Sequence, residues 1–160
     1  MTNINPLFSN CYNFTIDRGD DKLKLFGQQV AVPGLAMNVQ PQPTALGVQI
    51  PISVNTFNFN PLELNFIVDE NIDNWKSIYD WMKSIGNIDN DKEGSNYSSW
   101  ATTANLQILK SNYYPLSNRN FTFYNVIPTD LSALNFRSDI SDTNPVTSTV
   151  RFTYSHYRID

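Results

Sequence analysis

The 160-residue chain contains one cysteine, Cys11, and one histidine, His156. A single thiol cannot close an internal disulfide, and together the two residues fall short of the three or four ligands of a Cys/His zinc centre. Charge is scarce as well: Asp, Glu, Lys and Arg supply 16% of the residues, against about 25% in an average soluble domain. Eleven basic and fifteen acidic residues leave a net charge of −4, which argues against a general nucleic-acid binder with its basic stripe. The six glycines never fall into the spacing of a dinucleotide fingerprint or a P-loop, so Gly-rich phosphate cradles are absent. No apolar run reaches the length of a membrane-spanning helix. Met1 to Asn10 has neither a basic region nor an apolar stretch, so the expectation is a chain without a secretory signal that folds in a reducing cytoplasm.

What is present is core material: 41% hydrophobic and 13% aromatic residues, with twenty-one asparagines carrying much of the polarity. A chain of this length is expected to form one domain over residues 1–160 and to bury roughly 68–70% of its surface. Period-2 alternation dominates, the signature of half-buried strands. Tyr12, Phe14 and Ile16 share one face of a first strand, and Asp17-Arg18-Gly19-Asp20-Asp21 reads as a hairpin turn into Leu23 and Leu25. Val30 and Val32 follow, then an uncharged, Pro-interrupted stretch from Leu35 to Leu46 that reads as an irregular loop and a candidate contact arm. Strands resume at Val48–Ile50, at Phe57–Phe59, and through Leu62, Leu64, Phe66 and Val68.

The spacing predicts a helix over about 72–85, with Ile72, Trp75, Ile78, Tyr79, Met82 and Ile85 on the inner stripe and Asp73, Lys76, Asp80 and Lys83 outside. Asn71 is its expected N-cap, Asp69, Glu70 and Asp73 suit the dipole, and Gly86 suits its end. Beyond a polar loop at Asn87–Ser99 come strands through Leu106–Ile108, through Phe121, Phe123, Asn125 and Ile127, and through Val146, Val150, Phe152 and Tyr154. Pro128 to Phe136 reads as a turn plus a short apolar segment. The fold class is therefore α+β, mainly β: an antiparallel β-sandwich or barrel with one packed helix.

Candidate chemistry is thin. His156 continues a strand face without an orienting partner in the sequence, so a structural histidine is the better reading than a general base. Cys11 has no basic neighbour to activate it. Asp89, Asp91, Glu93 and Gly94 match the opening of a calcium loop, but position twelve is Trp100 instead of a bidentate Glu. Arg18-Gly19-Asp20 is ordinary turn chemistry, and Asp69 with Glu70 is explained by helix capping. No catalytic, cofactor-binding or metal-ligating residue is assigned, and the expectation is a protein that is not an enzyme and has no cofactor.

The segment Phe66-Ile67-Val68-Asp69-Glu70-Asn71-Ile72-Asp73-Asn74-Trp75, running into Ile78-Tyr79-Asp80-Trp81-Met82, resembles the strand-to-helix centre of bacteriophage tail tube proteins and their relatives at tube ends. Val30-Ala31-Val32-Pro33-Gly34-Leu35, Phe59-Asn60-Pro61-Leu62, Leu106–Leu109, Phe123–Leu131 and Val150–Tyr154 follow the same order, so the resemblance spans Phe14 to Tyr157. It implies a β-sandwich that self-associates into rings by sheet-edge pairing, in the tube body or in cap, sheath-stabilising or baseplate rings. It further implies a virion protein assembled in the host bacterial cytoplasm, with other tail proteins as partners and no membrane. DNA would pass through without specific binding, as a net negative charge suits. The competing reading is a carbohydrate- or receptor-binding β-module using Trp100, Tyr113 or Tyr114 as a platform. A carboxylate-pair hydrolase stands third.

Overall fold

The computed structural model describes residues 9–18, 21–23, 27–86, 100–110, 115–139 and 144–160. Along the chain run β1 (Tyr12–Arg18), β2 (Asp21–Leu23), β3 (Gly27–Ala31), β4 (Leu35–Pro43), β5 (Gln49–Phe59), β6 (Leu62–Ile67), α1 (Asp73–Gly86), β7 (Thr102–Leu109), β8 (Pro115–Leu131), β9 (Thr147–Thr153) and β10 (His156–Ile159). The fold is mainly β, with antiparallel sheets and a packed helix, as the alternation implies. Seven strands follow the path β2-β1-β7-β8-β9-β6-β3 and β10, the eighth, pairs with β8 off it, while among the described residues β4 and β5 pair only with each other.

The path forms two layers because β8 changes sheet. Its first part pairs with β7 and β10, and Ile127–Leu131 pairs with β9. The corner is Asn125, whose φ of 56° is tolerated by asparagine far better than by most side chains. This bulge breaks the expected alternation through Phe121, Phe123, Asn125 and Ile127: Phe123 faces the core, Asn125 is exposed, and Val126 and Pro128 are buried. Asn125 Nδ2 donates to Ser155 Oγ at 3.1 Å, which ties the corner to the β9–β10 link. At the other end Tyr12 donates its hydroxyl to the Gly27 carbonyl at 3.1 Å, joining β1 to β3. A Cβ at Gly27 would lie 3.2 Å from Leu64 Cδ1, so this approach suits glycine.

Between the layers lie Phe14, Ile16, Leu62, Leu64, Phe66, Ala104, Leu106, Phe123, Val126, Val150, Phe152 and Tyr154. The helix adds Ile78 and Trp81, with the Trp81 ring 6.1 Å from Phe152 and its Nε1 donating to the Trp100 carbonyl at 2.9 Å. Two features of α1 differ from expectation. Trp81 and Asn74 are buried while Ile72 and Tyr79 are exposed, so the inner stripe is rotated. The cap is built by Asp69 and Asn74 rather than Asn71: each side chain accepts from the other's backbone N–H, and Asn74 Nδ2 donates to the Ile67 carbonyl at 2.8 Å.

The segment read as a loop, Leu35–Leu46, is mostly strand β4, and the two short strands expected at Val48–Ile50 and Phe57–Phe59 are one strand, β5. Likewise β8 runs straight through Pro128 to Leu131, where a turn was expected. Pro128 sits on a strand-switching segment whose bulge between Pro128 and Asp130 needs no regular donor there.

Replacing Asn125 with alanine should destabilise the fold by about 1–3 kcal/mol, because a Cβ without the asparagine side chain keeps the unfavourable φ and loses the bond to Ser155. Asn125→Gly should cost markedly less; urea unfolding of the two variants beside the wild type checks the order.

Candidate assembly interface

β3 and β6 pair antiparallel, and the same two segments continue outward as β4 and β5, so the chain from Gly27 to Ile67 is one long hairpin broken in the middle. The register passes from Ala31↔Glu63 to Leu35↔Phe59 across a break at Val32-Pro33-Gly34 and Asn60-Pro61-Leu62. Pro33 and Pro61 cannot donate to a ladder, which ends regular pairing there. The carbonyls left at the break are taken up by phenols: Tyr154 donates to Asn60 at 2.8 Å and Tyr157 to Pro33 at 3.4 Å. Phe59 locks the base, its ring centroid 5.8 Å from both Tyr154 and Tyr157. Burial and the neighbouring Tyr157 push the Tyr154 hydroxyl up to about 12.

Beyond the break the hairpin is an arm whose two outer edges are unpaired among the described residues. No Asp, Glu, Lys or Arg occurs between Lys24 and Glu63. Nine of the thirteen large hydrophobics exposed among the described residues lie between Val32 and Phe57, so the apolar surface is concentrated on the arm. A soluble monomer seldom exposes a patch of that kind, and natural edge strands usually carry charges. The arm's tip is Thr44–Val48, closed by Thr44 N–H donating to Val48 O at 3.1 Å and by Gly47, whose φ of 71° suits glycine.

A second apolar surface lies at the far end of β6. Val68 N–H donates to Val146 O at 2.8 Å, extending the β6–β9 ladder by one step. There Val68, Asp69, Glu70, Ile72, Phe136 and Val146 line a groove of about 270 Å³. Ile72 opens α1 with a φ of 62°, an unusual conformation for a β-branched residue, while its carbonyl accepts the Lys76 N–H at 2.9 Å. Phe136 is 72% exposed; its segment is fixed by Ser132, whose carbonyl accepts the Trp75 indole N–H at 3.3 Å and whose Oγ accepts the Thr149 N–H at 2.9 Å.

The residues tested for chemistry are placed elsewhere. His156 is exposed, stacked on Tyr124 at 4.8 Å, and its Nδ1 is 3.0 Å from Ser155 Oγ; no carboxylate orients the ring among the described residues. Cys11 is buried beside Asn10. Asp69 serves the helix cap, and Glu70 is exposed at its turn. Asp89–Gly94, Gly19, Asp20, Tyr113 and Tyr114 lie outside the described residues, and Trp100 is half-buried with its carbonyl engaged by Trp81. No group of three or more His, Cys, Asp or Glu able to hold a metal occurs among the described residues. The sequence marked the arm by its missing charge but not the groove, because Ile72 was assigned to the helix's inner stripe.

Comparisons with known proteins agree with this geometry. A family model described as phage tail tube protein matches residues 3–160. The tail tube terminator protein of Enterobacteria phage T4 is 31% identical over 144 residues, covering 81% of this chain and 75% of that protein. Among solved structures, the tube-terminating cap of the anti-feeding prophage superposes with a TM-score of 0.69 at 10% identity, over 100% of this chain and 94% of that one. The sheath–tube complex of the PVC extracellular contractile injection system gives 0.66 at 11% identity, over 97% and 91%. At those identities the likeness is one of fold.

Tyr154→Phe should weaken the arm's base and lower stability by about 1 kcal/mol or somewhat more, since the Asn60 carbonyl loses its donor. Because the folded-state hydroxyl ionises only near 12 against an ordinary value of 10.0, its contribution is complete below pH 10.0 and is lost as pH rises towards 12. Thermal melts of wild type and Tyr154→Phe across that range should converge at the alkaline end.

Proposed function

Since the chain belongs to the phage tail tube protein family, whose members are structural rather than enzymatic, we propose that this tail tube ring protein builds a terminal ring of a contractile phage tail, of the tube-terminator kind. The observation that carries the reading is the charge-free arm with two open strand edges, which finds its cover in a neighbouring copy. A head-to-tail contact of this kind closes into a ring when the rotation between copies is right. Identity to the phage T4 tube terminator favours the tube end over the tube body. The anti-feeding prophage cap and the PVC sheath–tube complex support the tube and the sheath as its other partners.

In this reading residues 1–160 form one tail-tube-like domain, assembled in the host bacterial cytoplasm and retained in the virion tail. A net charge of −4 suits a conduit that lets DNA pass without holding it, since firm binding requires basic groups on phosphates. No residue is given a catalytic, cofactor or metal role.

Negative-stain images of purified protein, alone and with tail tubes, test the proposal; rings, free or on tube ends, are expected. Val39→Asp combined with Ile52→Asp places charges on the arm, where both side chains are exposed, and should abolish ring formation while leaving the thermal midpoint within about 2 °C. A wild type that stays monomeric at high concentration and in the presence of tubes would overturn it, as would rings unaffected by the two aspartates.

A further inference from the structure

The arm contains three prolines, and the ladder shows where their missing N–H groups would have pointed. Thr44 N–H bonds to Val48 O, which makes Thr44 and Val48 a hydrogen-bonded pair. In an antiparallel ladder such pairs alternate with pairs whose N–H and C=O face outward. From the register, Gln42↔Ile50 and Gln40↔Ile52 are then bonded pairs, and Pro43↔Gln49, Pro41↔Pro51 and Val39↔Ser53 face outward. All three prolines therefore sit where an outward donor is removed. The edge of β4 has no outward donor from Pro41 to Pro43, and that of β5 has none at Pro51. The outer half of β4 therefore cannot extend a neighbour's sheet in the regular way, and β5 keeps outward donors only at Gln49 and Ser53, on either side of Pro51; the same outer half carries the exposed Leu46, Val48, Ile50 and Ile52.

A fitting recess is present on the same molecule but out of reach. The arm joins β6 at Leu62 and the groove begins at Val68, about 20 Å away along the strand. Both surfaces are exposed within one chain, so the arm does not fill its own groove. The groove presents Val68, Ile72, Phe136 and Val146, with Ile72 held in its unusual φ and Phe136 projecting. Two unlike apolar surfaces at opposite ends of one strand are what a head-to-tail contact requires. The uncharged arm also meets no like charge at Asp69 and Glu70.

We propose that, in the assembly inferred above and resting on that reading, the outer arm of one copy (Pro41–Pro51) seats side-chain first in the Val68–Ile72–Phe136–Val146 groove of a second copy. Sheet addition along β4 is confined to Val39 and the residues inward of it. The prolines select the mode, and the groove supplies the receptor.

Two singly substituted chains, Ile50→Cys and Phe136→Cys, test this; both positions are exposed, and the native Cys11 is buried. Mixed and mildly oxidised, they should form an interchain disulfide that neither variant forms alone. Particles in the mixture without that disulfide would overturn the docking and leave the ring reading standing, whereas a wild type that forms no particles would overturn both. If a thiol variant fails to assemble, a charge pair decides. Phe136→Asp should raise the concentration needed for assembly about tenfold or more, and Ile50→Lys on the other copy should recover part of it. Unchanged assembly of Phe136→Asp at an unchanged melting midpoint would overturn the docking.

Discussion

The arm hangs from the hydrogen bond between the Tyr154 hydroxyl and the Asn60 carbonyl, made inside a cluster of Phe59, Phe123, Tyr154 and Tyr157. It fixes the point where one long hairpin stops being core and becomes arm. On the inner side Leu62, Leu64 and Phe66 are buried, while Glu63 and Asn65 face outward and bond to Arg151 and Thr149. On the outer side every residue of β4 is exposed. A break in a ladder leaves carbonyls without partners, and burying them unpaired would be costly. The two tyrosines answer that need, so the arm's departure is set by one residue of the β9–β10 link and one of β10.

The second constraint is the corner at Asn125. Without it β8 would remain in one sheet, and Phe123 and Val126 could not both face the core, since they are three positions apart and a regular strand alternates every residue. Tyr12 on Gly27 closes the opposite side, bringing β1 of one layer against β3 of the other. The helix then fills the remaining opening with Trp81, over which Arg18 lies at 5.3 Å. Each closure uses a polar atom at the rim of an apolar core, so the layers are held in register as well as apart.

Much of this was legible from the sequence wherever one face of an element is buried. Leu62, Leu64 and Phe66, or Val150, Phe152 and Tyr154, announce themselves by period two because burial imposes it. β4 gave no such signal: with both faces exposed there is no pressure to alternate, and Pro41 and Pro43 imitate a loop. Asn125 was misplaced on a regular alternation because a bulge leaves only a one-residue change of phase. Hydrophobicity alone runs the helix stripe through Ile72 and Tyr79, since it cannot show that Asn74 is buried to serve a cap while Ile72 remains outside. As for the site, the missing charge of the arm was visible, but the groove is made by three separate segments and exists only once they are folded.

The prolines of the arm resolve a conflict inherent in an assembly subunit. A free, flat, uncharged ribbon would pair with any strand it met, and a chain made in many copies would then aggregate before reaching its place. Charges on the edge would prevent that but would also be buried unpaired once the ring closed, at greater cost than the contact returns. Proline at outward positions removes donors without adding charge, so the outer edge of β4 is poor at pairing with promiscuous strands, the edge of β5 is interrupted at Pro51, and the ribbon is still apolar towards a shaped recess. The strand edges nearer the base retain their donors, beside β3, where the sheet itself is open. In the proposed docking, selectivity follows from position along the arm: the outer half meets a partner through its side chains, and the inner half offers hydrogen bonds.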